Sequence, residues 1–223
     1  ELRAMARANR AFLGRAVRFL VESGVRQFID LGSGIPTQGN VHEVAQAAVP
    51  GARVVYVDND PVAVAHSTSL LADNPDADIV DADIRQPARI LASPQVRKLI
   101  DFEQPVAVLM ITILHFVTPE ENPAGIVAAF RDELPADSWL ALTHATNEDR
   151  PETAAAVTRL YNSRATSQVS TRSHDEIHAL FDGFELTEPG LVYVPLWRPD
   201  PEEQVPDRPS EYWVYAGVGR KSG

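Results

Sequence analysis

An apolar run that ends in an acid and then meets Gly-x-Gly constrains this chain more than any other feature. Residues Phe28-Ile29-Asp30-Leu31-Gly32-Ser33-Gly34 describe a buried strand halting at a sharp turn. With no side chain at Gly32 or Gly34, the backbone there can approach a ligand closely. A second apolar run, Val54-Val55-Tyr56-Val57, ends in Asp58, 24 residues after Gly34. Nucleotide-binding α/β folds place at that distance the carboxylate that grips a ribose diol. Together the two runs imply a ligand with an adenosine half.

The rest of the pattern continues the alternation. Apolar runs bounded by turn residues predict strands over 27–31, 53–57, 77–80, 106–113, 138–143, 185–194 and 212–218. Helices are expected around 44–49 and over 61–71, 120–134 and 173–181, with Pro61 suited to a helix start, and 87–100 reads as a helical or irregular piece. Residues 3–22 predict an amphipathic helix that Ser23-Gly24 stops. Met5, Phe12, Leu13, Ala16, Val17 and Leu20 form its apolar side, and Arg3, Arg7, Arg10, Arg15 and Arg18 its solvated side. Seven strands with helices between the first six indicate an α/β, doubly wound sheet. No helix separates the last two strands, so the seventh enters antiparallel. Five prolines mark 195–211 as an extended connection. Residues 1–223, with 1–24 as an N-terminal helix, are expected to form one domain.

Composition removes several function classes. A net charge of −11 opposes general affinity for nucleic acid or an anionic membrane. There is no cysteine, hence no disulfide, thiolate nucleophile or cysteine metal site. Asp78, Asp81 and Asp83 have no histidine near them in sequence and read as a solvated acidic loop, so no metal is expected. The stretch 106–117 is too short to span a bilayer, and the Arg-rich N-terminus lacks the apolar core of a signal peptide. A cytoplasmic protein is expected.

Three ligands compete for the glycine turn. A dinucleotide fingerprint asks for a third glycine where Thr37 stands. A P-loop asks for Gly-Lys-Ser/Thr, which does not follow the first strand. S-adenosylmethionine has no phosphate; its ammonium suits Asp30, and its carboxylate suits the backbone near Gly32 and Gly34.

The residues now resemble a known family. They are Asn9-Arg10-Ala11-Phe12-Leu13, Gln27 through Thr37, Asn40-Val41-His42-Glu43 and Val54 through Pro61. Ala82-Asp83-Ile84-Arg85, Leu114-His115-Phe116, Pro189-Gly190-Leu191-Val192 and Trp197-Arg198-Pro199 continue the match. The ordered set resembles the class I S-adenosylmethionine-dependent methyltransferases, more narrowly the actinobacterial S-adenosyl methyltransferase group long catalogued as a domain of unknown function. The resemblance implies a Rossmann-like sheet of order 3-2-1-4-5-7-6 with strand 7 antiparallel, and S-adenosylmethionine as cofactor. It implies Asp30, Gly32 and Gly34 at the methionine part, Asp58 at the ribose with Asn59 among the cofactor residues, and Asp83 with Ile84 at the adenine. Pro36 stands where many methyltransferases carry a third glycine, and it has no N–H to donate. The narrower family shares this proline.

His115 after the fourth strand and His144 at the end of the fifth stand at the carboxyl edge, where open α/β sheets bind ligands. They are the candidate catalytic residues, each as a base or substrate-orienting group. Tyr161, Asn162 and Arg172 could line an acceptor pocket or belong to a polar surface. Trp197-Arg198 suits either a lid or simple packing. The reading these residues support is methyl transfer to a small-molecule acceptor by in-line attack. A non-catalytic cofactor-binding module and a nicotinamide-dependent reductase stay open as alternatives, the latter opposed by Thr37 and the closing hairpin.

Overall fold

Every residue of the strand Gln27–Leu31 is buried, so both faces of the sheet around it are covered. The computed structural model describes residues 2–149 and 168–223. In chain order its helices and strands are α1 (Leu2–Glu22), β1 (Gln27–Leu31), α2 (Val41–Ala48), β2 (Arg53–Asp58), α3 (Pro61–Leu71), β3 (Ala77–Asp81), α4 (Pro87–Leu91) and α5 (Pro94–Leu99). Then come β4 (Ala107–Ile111), α6 (Pro123–Glu133), β5 (Trp139–Ala145), α7 (His174–Ala179), β6 (Phe184–Leu186), β7 (Val192–Tyr193) and β8 (Val214–Lys221).

The sheet runs β3-β2-β1-β4-β5-β8-β6, with β7 also paired to β8. Pairs among β1 to β5 are parallel, and β8 enters antiparallel between β5 and β6. This is the doubly wound order the resemblance implies, with one refinement. The expected sixth strand over 185–194 is two short strands. Pro189 has no N–H for the ladder, and Gly190 takes φ 85° and donates to the Thr187 carbonyl at 2.7 Å. The chain leaves β8 after Thr187, whose N–H still reaches the Val218 carbonyl at 2.9 Å, and rejoins it at Val192. The stretch 87–100 is likewise divided, into two helices, because Ser93 caps a new start and Pro94 opens it.

Strand periodicity sorts the core into two layers. Ile29, Leu31, Val55 and Val57 pack on one face with Ile90, Val96 and Phe130. Phe28, Val54 and Tyr56 pack on the other, which α1 covers with Phe12, Ala16, Val17 and Leu20.

Arg15 departs from the expected solvated side of α1. It lies one turn from both Phe12 and Phe19, which places it on the packed face. Its side chain is 4% exposed beside Glu203. Nε donates to the Trp197 carbonyl (2.9 Å), Nη2 to the Val194 carbonyl (3.0 Å), and Nη1 pairs with Glu203 (2.7 Å). Burial lowers the guanidinium from its ordinary value, and Glu203 and Asp200 counteract this. Trp197 is fully buried, edge-on to Phe12 at 5.1 Å and to Phe19 at 5.7 Å. The Arg198 guanidinium lies 4.2 Å from the Phe19 ring centre. Trp197-Arg198 is therefore packing that fastens α1.

Arg15→Ala should cost about 2–4 kcal/mol of stability, since two buried carbonyls lose a charged donor. Arg18→Ala removes only the exposed pair with Asp200 and should cost less than about 1 kcal/mol. Urea denaturation of both variants checks the contrast, and equal losses would contradict the assigned role of Arg15.

Candidate active site

Parallel register brings the ends of β1, β2 and β4 to one edge of the sheet. The turn after β1 folds back over β2, with Gly32 N and Ser33 N donating to the Val57 carbonyl at 2.8 and 3.2 Å. Its two glycines serve different needs. At Gly32 (φ 73°) a Cβ would come within 2.5 Å of the Ile113 side chain. At Gly34 (φ 66°) the space is open, so the backbone stays accessible.

Asp58 ties this turn to β2. One carboxylate oxygen accepts from Gly34 N at 2.7 Å, the other from Asp60 N at 2.9 Å. Beside it Asn59 donates to Asp83 at 3.1 Å, joining the ends of β2 and β3. Asp83 also pairs with Arg85, which binds Glu121 at 2.6 Å and the Phe116 carbonyl at 2.6 Å. Ile84 is buried in the core layer that holds Leu31 and Val57. Among the described residues no group of three or more histidines and acids could hold a metal ion.

Asp30 stands apart from these acids. Its register partner on β2 is Tyr56, and both face α1. The Tyr56 hydroxyl bonds His42 at N (2.9 Å) and at Nδ1 (2.7 Å). Asp30 is 6% exposed, and burial pushes its carboxyl up to about 7; Arg10 opposes the rise and Asp58 adds to it.

Asp30, Gly32 and Gly34 line a cavity of about 400 Å³ under α1, together with Asn9, Arg10, His115 and Trp213. Asp58, Asn59, Asp83 and Ile84 do not line it and stand at the neighbouring strand ends. The expected cofactor residues thus divide between a largely apolar chamber and an edge beside it.

The two histidines also divide. His115 sits in a 3₁₀ turn, Leu114–Phe116, lines the cavity, and leaves its buried Nδ1 without a partner. Burial, then His144 and Arg172, pulls it down to about 3, so it is neutral near pH 7. His144 is fully buried in β5 and does not line the cavity. Its Nδ1 meets the Ala145 carbonyl (2.8 Å) and its Nε2 meets Arg172 Nη1 (2.6 Å). A guanidinium only donates, so Nε2 accepts and Nδ1 carries the hydrogen, a tautomer assigned from the bonding network. Arg172 also donates to the carbonyls of Leu114 (3.1 Å) and Val117 (2.8 Å). His144 therefore steadies the arginine that grips both ends of the turn carrying His115. Arg172 itself belongs to this clamp, and Tyr161 and Asn162 lie outside the described residues.

Asn9, Arg10 and Trp213 line the cavity although sequence reasoning gave them no role there. Asn9 and Arg10 were signalled by the Asn9–Leu13 motif. Trp213 carried no signal, because its position follows from a left-handed backbone (φ 52°) just before β8.

A family model described as S-adenosyl methyltransferase matches residues 1–222. No curated protein matches the chain. Among solved structures, the chain is similar to a DUF574 family protein from Streptomyces avermitilis, at 43% identity and TM-score 0.91, covering 96% of this chain and 83% of that one. A protein from Thermobifida fusca assigned to the methyltransferases is 41% identical at TM-score 0.92, covering 99% and 82%. Human N-acetylserotonin methyltransferase in complex with SAM, at 15% identity and TM-score 0.56, covers 96% of this chain and 52% of its own; it shares the fold alone.

The raised carboxyl of Asp30 gives a pH signature. The unfolded chain loses this proton near 4 and the folded chain near 7, so the stability the group contributes is present below about pH 4 and lost as pH rises toward 7. Asp30→Asn should therefore stabilise the ligand-free protein at about pH 8 by on the order of 2–4 kcal/mol, and by much less at about pH 5. Denaturant titrations at both pH values check this; equal destabilisation at both would contradict it.

Proposed function

The chain belongs to the S-adenosyl methyltransferase family, and on that premise we propose that it methylates a small-molecule acceptor held in the cavity under α1. S-adenosylmethionine is the cofactor. The observation that carries the proposal is that a buried, uncommitted acid and an unpartnered neutral histidine line one chamber beside the glycine turn.

The residues present fit the cofactor. Asp30 would gain from the methionine ammonium the counter-charge that its burial withholds. Gly34, with open space at its α-carbon, would let the methionine part pass close to the turn, while its own N–H stays on Asp58. Asp58 would take the ribose hydroxyls: a carboxylate has about four lone-pair sites, and backbone donors use two of them. Asn59 and Asp83, bonded to each other, would border the ribose and adenine. The Ile84 side chain is committed to the core, so its backbone is what it can offer.

When bound, S-adenosylmethionine supplies a methyl group activated by a positively charged sulfur. The chain's own work is positioning. Arg172, bonded to His144, holds the turn that presents His115. His115, pulled down to about 3 and therefore neutral near pH 7, would orient an acceptor through Nδ1 rather than hold its proton. α1 residues and Trp213 contribute walls to the chamber.

S-adenosylhomocysteine should raise the melting temperature by mass action, with NAD and ATP doing little. Asp58→Ala should weaken its binding by about 1.5–3 kcal/mol in calorimetry. Affinity should also fall below about pH 7 as Asp30 takes up its proton, a dependence that Asp30→Asn removes. A larger thermal shift with NADH would contradict the cofactor assignment of these residues. With methyl-labelled cofactor and a cell extract, label is expected in the low-mass fraction. Label confined to nucleic acid or protein would overturn the small-molecule reading.

A further inference from the structure

Buried polar atoms without partners gather in one place. Among the described residues five such side-chain atoms occur, and four of them, Asn9 Oδ1, Ser33 Oγ, His115 Nδ1 and Trp213 Nε1, belong to residues lining the cavity under α1. The fifth, Trp197 Nε1, lies in the packing that fastens α1. A folded chain seldom leaves such groups unsatisfied, and each asks for an explanation. Their concentration in one chamber is explained when a ligand completes them.

Three of the four, Asn9, Ser33 and Trp213, have no role assigned above; Ser33 stands between the two glycines at the methionine end, which leaves Asn9 and Trp213. Asn9 is 5% exposed on α1, and its amide nitrogen is spent on the Met5 carbonyl at 3.1 Å, which leaves its oxygen as an acceptor. Trp213 holds a left-handed backbone that a bulky residue seldom adopts. Two bonds fix that conformation, its N–H to the Ser210 carbonyl (3.2 Å) and Thr146 N–H to its carbonyl (2.9 Å). The result places Trp213 in the lining of the chamber with a buried, unpartnered indole N–H, which can only donate. Leu13, Ile111, Phe116 and Val214 give the lining an apolar part. Asp30 lines the cavity at the glycine end, where the cofactor's methionine part is assigned, and Arg10 also belongs to the lining.

We propose that Asn9 and Trp213 form the acceptor subsite, and that it takes a neutral, mainly apolar compound bearing a hydroxyl. A hydroxyl is the smallest uncharged group that both donates to an amide oxygen and accepts from an indole N–H. A carboxylate acceptor would meet Asn9 Oδ1 as a like partner. The proposal rests on the methyltransferase reading and names the substrate class of that site.

The test uses the full chain saturated with S-adenosylhomocysteine, and follows binding of 1-naphthol, naphthalene and 1-naphthoate by ligand-observed NMR. 1-Naphthol should bind roughly 5- to 10-fold more tightly than naphthalene, the worth of a hydrogen bond, and more tightly than 1-naphthoate. That ratio should fall toward one in Trp213→Phe and in Asn9→Leu. Being a ratio, it is insensitive to a partly unfolded sample. Equal binding of naphthol and naphthalene, preference for naphthoate, a ratio unchanged in both variants, or no binding of any probe to the loaded protein would each overturn the subsite and leave the methyltransferase reading standing. Failure of S-adenosylhomocysteine to bind at all would instead overturn both.

Discussion

The structure depends on the requirement that β1 be covered on both faces. A strand paired on both sides with parallel neighbours presents two apolar surfaces, and neither can be left to water. One face is covered by elements that the crossovers deliver. The other is covered in part by α2 and α3, and α1, which no crossover places there, completes it. Burying Phe12, Val17 and Leu20 favours its docking by about 1.5–3 kcal/mol per large side chain. Arg15 and Trp197 then fix where along its length it docks. Because α1 is held this way, its N-terminal half overhangs the ends of β1 and β2, and a chamber exists beneath it.

That chamber contains an electrostatic asymmetry. Two acids end the adjacent strands β1 and β2, yet they have opposite circumstances. Asp58 accepts two backbone hydrogen bonds and serves the fold whether or not a ligand is present. Asp30 faces Tyr56, whose hydroxyl is already engaged by His42, and burial forces its proton to be retained to about 7. Such an acid destabilises the empty protein and matches a cation when one arrives. Groups in that state concentrate at functional sites.

How much of this was legible follows from which signals are local. Buried parallel strands announce themselves as continuous Val, Ile and Leu runs, so β1, β2 and β4 could be read directly, as could the glycine turn that ends β1. Asp30 and Asp58 were visible because strand ends are fixed by the same runs. Arg15 was misplaced on the solvated side because its partners, Trp197, Val194 and Glu203, lie far along the chain. His115 and His144 looked alike in sequence, each near a strand end. A 3₁₀ turn carries one into the chamber, while the ladder keeps the other inside β5. Trp213 was invisible, since an unusual backbone angle carries no composition signal. The split of the sixth strand was signalled by Pro189 and Gly190, whose loss of ladder bonding could have been weighed.

The position of β8 bears on how the molecule can be assembled. It follows every other described strand in the chain, yet it occupies the interior of the sheet between β5 and β6. Within the sheet β6 and β7 are paired with β8 alone. During synthesis from the N-terminus, β1 to β5 can therefore pair as each emerges, while β5 keeps one open edge. Closing that edge is a long-range step that carries the loop-closure cost of a distant contact. Until that edge is closed, β5 presents unpaired backbone groups on that side. The same step installs Trp213, so the chamber is finished only when the sheet is.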